Sequence, residues 1–129
     1  FLELCDFLKR NRLERVGAFV YSPEEGTPAA EMPRPDEETA KTRAQYIEQL
    51  QSRIMDEWCQ EKVGASIEVL CEGFDDESGL YYGRSQWDSP DIDSRVWFTG
   101  RDFVPGEFVQ VAVTAVRDGE LQGAACQEE

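Results

Sequence analysis

Residues able to do chemistry concentrate in one stretch of this chain, Gln86 to Asp93, which reads QWDSPDID. Asp88, Asp91 and Asp93 place three carboxylates on a proline-containing segment, with Trp87 inside it and Arg84 just before it. Carboxylates beside an aromatic face accept Lys or Arg through ion pairs and cation–π contact. All five residues are therefore candidates for binding a basic partner. Aspartates in turns also hydrogen-bond their own backbone, so residue types alone leave a turn-shaping role equally open. Calcium is the weaker reading, because the spacing is not that of an EF-hand loop.

The chain contains no histidine. That removes the usual general base and the usual nucleophile triads. Cys5, Cys59, Cys71 and Cys126 are scattered, without the close spacing of a zinc or redox site, and read as small hydrophobes in a reducing cytosol. No catalytic residue, metal ligand or bound cofactor is expected within this chain. With 27 acidic residues, neighbouring carboxylates are inevitable, so a self-sufficient hydrolase gains no support from them.

Charge points to the partner. The net charge is −14, and residues 63–129 carry 14 acidic and four basic residues, a net of −10, against −4 for residues 1–62. Such a field repels phosphate backbones and attracts Lys/Arg-rich surfaces, although acidity also serves solubility alone. A basic macromolecule is the expected partner, and RNA is disfavoured. No apolar run approaches the roughly 20 residues of a membrane span. Glu3, Asp6, Lys9, Arg10 and Arg12 interrupt any signal-type apolar segment, so the cytoplasm is the expected compartment and no membrane contact is expected.

These residues need elements to hold them. Leu4, Cys5 and Leu8 repeat at helical spacing, which predicts a short amphipathic helix over residues 1–12. Val16 to Tyr21, VGAFVY, suits a strand buried on both faces. Helix then strand is an αβ unit whose covering sheet must come from elsewhere. The chain also starts without methionine, as a piece of a longer protein would, and the uncovered segment is expected to favour self-association. Tyr21 to Ala30, YSPEEGTPAA, follows that strand; such loops hold ligand contacts in α/β domains, or serve as rigid connectors. Asp36 can cap a helix running to about residue 60, roughly 37 Å long, with Ala40, Ala44, Ile47, Leu50, Ile54 and Trp58 along one face.

After Gly64 the apolar period drops from 3.6 to 2. Strands are expected over 67–72, 80–85, 95–99, 108–116 and 121–126, separated by turn-prone segments at Asp75–Gly79, Asp88–Ser94 and Pro105–Gly106. Five short strands suit a small OB-like antiparallel barrel. Trp97, Phe98, Phe103 and Phe108 are expected in its core rather than as nucleobase platforms, although OB barrels do stack bases on exposed aromatics.

Taken together, YSPEEGTPAA at 21–30, the helix at 36–62 and the strands at 63–126 resemble the C-terminal part of the methylthiotransferases. Glu24-Glu25-Gly26-Thr27, Gly83-Arg84-Ser85 and Ser89-Pro90-Asp91-Ile92-Asp93 resemble the RimO type; the Arg-Pro pair of the MiaB type, which modifies transfer RNA, is absent at 24–25. The resemblance implies three segments: the truncated end of a radical-SAM domain at 1–35, a linker helix at 36–62 and a TRAM barrel at 63–129. It implies a parent transferase with two 4Fe-4S clusters and S-adenosylmethionine, acting on an aspartate β-carbon of the twelfth small-subunit ribosomal protein. That basic protein becomes the expected partner, with an RNA-binding module of the transfer-RNA branch as the alternative. Ser22, Glu24, Glu25 and Thr27 are the candidates nearest the cofactor rim. None of the four cysteines matches the family's cluster ligands, so the chain alone is expected to be inactive.

Overall fold

Cys5 and Leu8 fall on the same face of helix α1 (Leu2–Asn11), and that face is where the chain first buries apolar surface. They pack against Ile47, Leu50 and Ile54 of helix α2 (Glu37–Lys62), and Val16 closes the cluster. Arg12 takes a left-handed conformation that ends α1, and its N–H donates to the Leu8 carbonyl at 2.9 Å. Asp36 starts α2: its Oδ1 accepts the Thr39 N–H at 2.7 Å. Those hydrogen bonds from Thr39 hold the Asp36 carboxyl below its ordinary value. The structure is a computed structural model in which residues 1–127 are described; it divides into two units, Phe1–Met55 and Asp56–Glu129.

The expected strand at 16–21 does not form. Phe19 is 96% exposed, and Gly17, Ala18 and Tyr21 also face solvent. A strand exists only through its ladder, and no strand is present among the described residues of this unit to supply one. The αβ unit reduces to its helix.

The second unit is a closed barrel of five strands: β1 (Ser66–Asp75), β2 (Leu80–Ser85), β3 (Val96–Thr99), β4 (Phe108–Arg117) and β5 (Glu120–Ala125). Their order around the ring is β1-β2-β3-β5-β4. Four pairings are antiparallel, but β3 and β5 run parallel, from Val96↔Leu121 to Thr99↔Ala124. The expected five-stranded OB-like antiparallel barrel is present, and its one parallel pair has a topological reason. Directions can alternate around a closed ring only if the number of strands is even, so five strands force one parallel neighbour.

Alternation fills the interior. Ile67, Val69 and Cys71 of β1, Val96 and Phe98 of β3, Val109, Val111 and Val113 of β4, and Leu121 of β5 are all buried. Space is tight where strands lean together: a methyl group at Gly83 would overlap the Leu70 carbonyl, and one at Gly123 would overlap the Ala112 carbonyl. Of the four aromatics expected in the core, Phe98 is fully buried and Phe103 half-buried against it. Trp97 lies on the outer face against Tyr82, and Phe108 is 69% exposed. Neighbours in a strand point to opposite faces, so burying Phe98 and Val109 turns Trp97 and Phe108 outward.

Candidate functional site

The outer face of β2 and the loop after it carry the candidate residues. Arg84 points outward beside Glu72 of β1, with Nη1 3.7 Å from Oε2. It thus has an ion-pair partner in a glutamate of the neighbouring strand. Arg84, Asp91 and Asp93 line a groove of about 290 Å³ together with Glu72, Tyr82 and Arg95. The Arg95 guanidinium lies 4.2 Å from the centre of the Tyr82 ring and so braces one wall of the groove.

The three aspartates play unequal parts. Asp88 turns its Oδ2 back onto the chain, where it accepts the Ser85 N–H at 3.1 Å and the Ser85 hydroxyl at 2.7 Å. Ser85 is buried, so this carboxylate satisfies a hydroxyl cut off from water. Asp93 Oδ2 accepts the Ser89 N–H at 2.7 Å and fixes the next turn. Asp91 is exposed and sits at φ 61°, a left-handed conformation that Asp tolerates better than most residues.

Trp87 lines a second groove, of about 320 Å³, with Glu68, Leu70, Arg84 and Phe108. Its ring meets Trp58 edge to face, with centroids 5.3 Å apart. Lys62 lies 4.4 Å from the Trp87 centroid and 5.1 Å from that of Trp58. One cation–π position on Trp87 is therefore taken by a lysine of the same chain. Trp58 and Lys62, from the last turns of α2, and the outward Leu70 and Phe108 are the members that sequence reading missed. The signal for Leu70 was available: it sits between Glu68 and Glu72 on the outward face of β1.

Ser22, Glu24, Glu25 and Thr27 belong to the first unit and are all exposed. The Thr27 hydroxyl donates to the Glu24 carbonyl at 2.7 Å, and Gly26 takes φ 82°, so these residues form a tight turn before the short 3-10 helix Pro28–Glu31. Cys5, Cys59 and Cys71 are buried, Cys126 is exposed, and among the described residues no group of three metal-binding side chains comes together. Burial pushes the Cys71 thiol up from its ordinary value, away from the thiolate a metal needs. No described helix is long and apolar enough to cross a membrane.

Comparison with known proteins adds what the chain is similar to. Residues 63–126 match the family model described as TRAM domain. The ribosomal protein uS12 methylthiotransferase RimO of Caldicellulosiruptor saccharolyticus is 40% identical over 124 residues, covering 95% of this chain and 28% of that protein. The protein of the same name from Desulforamulus reducens is 41% identical over 130 residues, covering 98% and 29%, respectively. That of Salmonella arizonae is 43% identical over 126 residues, covering 96% and 28%. The chain thus spans about 28% of the length of the curated relatives it matches.

Proposed function

The chain is related to the C-terminal part of the RimO-type methylthiotransferases and carries a TRAM domain, and on that premise we propose that it is the substrate-recognition portion of such an enzyme. Its substrate protein is uS12, the target in the relatives' names, and the modified atom is the β-carbon of an aspartate. The likeness to those relatives across at least 95% of the chain carries the reading. The charge supports it, because a barrel segment of net −10 attracts a basic ribosomal protein and repels RNA. Two 4Fe-4S clusters and S-adenosylmethionine supply the radical chemistry of the parent, held by residues outside this chain. The part played here is binding and orientation: Glu72, Asp91 and Asp93 offer carboxylates to basic side chains, while Asp88 and Asp93 keep the loop in shape.

Titration of the chain with uS12 and with transfer RNA, at low and moderate salt, tests this. Tighter binding to uS12 that weakens as salt rises is expected. Tighter binding to transfer RNA overturns the reading in favour of an RNA-binding module.

A further inference from the structure

The outward face of β1 reads Glu68, Leu70, Glu72, an apolar residue between two carboxylates. Leu70 is in register with Phe108 of β4 on one side and Arg84 of β2 on the other. Phe108 is 69% exposed although the next residue, Val109, is buried. With Trp87 these residues line a groove that has Leu70, Phe108 and Trp87 as its apolar part, Glu68 and Arg84 on its rim, and Glu72 in the adjoining groove. An exposed apolar patch with a charged rim marks a docking surface.

Resting on the recognition reading above, we propose that this groove seats one apolar side chain of an extended, basic protein segment, with Lys or Arg two residues to either side of it. Same-face residues of a strand are about 7 Å apart, so Glu68 stands one such step from Leu70, as in an extended basic–x–apolar–x–basic segment. On the other side Glu72 lies at the β-bulge between Cys71 and Gly73, where the regular step is interrupted. At the Glu72 end Arg84 competes for the carboxylate. Their 3.7 Å separation is long for a hydrogen-bonded ion pair, and Asp91 and Asp93 add charge in the adjoining groove. An oligonucleotide could stack on Phe108, but Glu68 and the net −10 charge of residues 63–129 oppose its phosphates.

Short labelled peptides test the pattern. One carries Lys-Thr-Leu-Thr-Lys in a neutral background, the other Lys-Thr-Ser-Thr-Lys, and binding is measured by fluorescence anisotropy on the full chain. Wild type should prefer the leucine peptide by about fivefold or more, the worth of one partly buried apolar side chain. Phe108→Ser should erase that preference, and Glu68→Lys should weaken binding of both peptides. Phe108 is outward-facing, so its variant should melt as wild type does. Equal affinity of wild type for both peptides overturns the proposal, as does a preference that survives Phe108→Ser. Tighter binding of a U-rich oligonucleotide than of the leucine peptide, lost in Phe108→Ser, overturns it in favour of a stacking platform. A parallel titration separates the two readings. If wild type prefers uS12 to transfer RNA but Phe108→Ser leaves uS12 affinity unchanged, only the groove is rejected. If wild type prefers transfer RNA, the recognition reading fails, and the leucine preference still decides the groove.

Discussion

The ammonium of Lys62 lies 4.4 Å from the centre of the Trp87 ring, in the corner where Trp87 and Trp58 meet edge to face. Lys62 is the last residue of α2, where a cation is also favoured by the helix dipole. The contact joins the end of that helix to the loop after β2, so the loop's position depends on the helix's last turns.

A double-mutant cycle isolates this contact. Lys62→Met should cost about 0.5–1 kcal/mol by urea denaturation, the worth of a partly exposed cation–π pair. In a Trp87→Leu background the same change should cost much less, because the second ring is gone. Strictly additive costs would show that the lysine is only resting there.

The barrel glycines should rank by what surrounds them. Gly83→Ala and Gly123→Ala each drive a methyl group into a neighbouring strand's carbonyl, and should cost at least about 2 kcal/mol. Gly79→Ala meets open space but keeps φ at 73°, and should cost about 1 kcal/mol in backbone strain. Urea midpoints in the reverse order would contradict this packing.

The residues that set these contacts were legible in the sequence to different degrees. Asp36 as the α2 cap, and Ile67, Val69 and Cys71 as one strand face, follow from local patterns that the structure keeps. That five strands in a ring must leave one parallel pair could be deduced, but that the pair is β3–β5 was not legible, because it depends on strand order rather than on any residue in Val96–Thr99. Val16–Tyr21 misled because a β-rich run specifies a strand only where a partner is present. In the candidate site, the run of acids was plain. That Asp88 is spent on Ser85 and that Trp87 already holds Lys62 are contacts across turns and elements, invisible to spacing.

Thiol labelling should distinguish one cysteine from the rest. Cys126 is exposed, whereas Cys5, Cys59 and Cys71 are buried. Burial raises the Cys71 thiol, which lowers its thiolate fraction further. Native protein should therefore label rapidly at Cys126 alone, and at all four positions in denaturant. Equally rapid labelling of Cys71 would mean the barrel opens readily.

Asp36 sets an acid limit on the first unit. Its folded value is depressed, chiefly by the hydrogen bonds from Thr39, so its contribution to stability is complete above the unfolded value and is lost as pH falls through the lower folded one. Asp36→Asn keeps a cap acceptor that does not titrate. The melting-temperature difference between wild type and this variant should be constant above about pH 5 and should shift against wild type below about pH 4. A difference that is flat down to pH 2 would show that Asp36 titrates as it does in the unfolded chain.

Asp88, Asp91 and Asp93 should separate into shape and binding. Asp88→Ala leaves the buried Ser85 hydroxyl and its N–H without their acceptor, and should cost about 1–3 kcal/mol of stability. Asp91→Asn should leave stability unchanged, because Asn is equally tolerant of φ 61°. If Asp91 receives a basic side chain of uS12, that change should weaken binding by up to about fivefold, since exposed ion pairs contribute only about 0.2–1 kcal/mol. Changing Asp91 and Asp93 together to Asn should weaken it further and flatten its salt dependence. Asn at 93 still offers an oxygen to the Ser89 N–H, so the turn should survive. Unchanged affinity of the double variant at low salt would remove both residues from the binding surface. A fallen melting temperature with the salt slope intact would show that both aspartates only hold the loop.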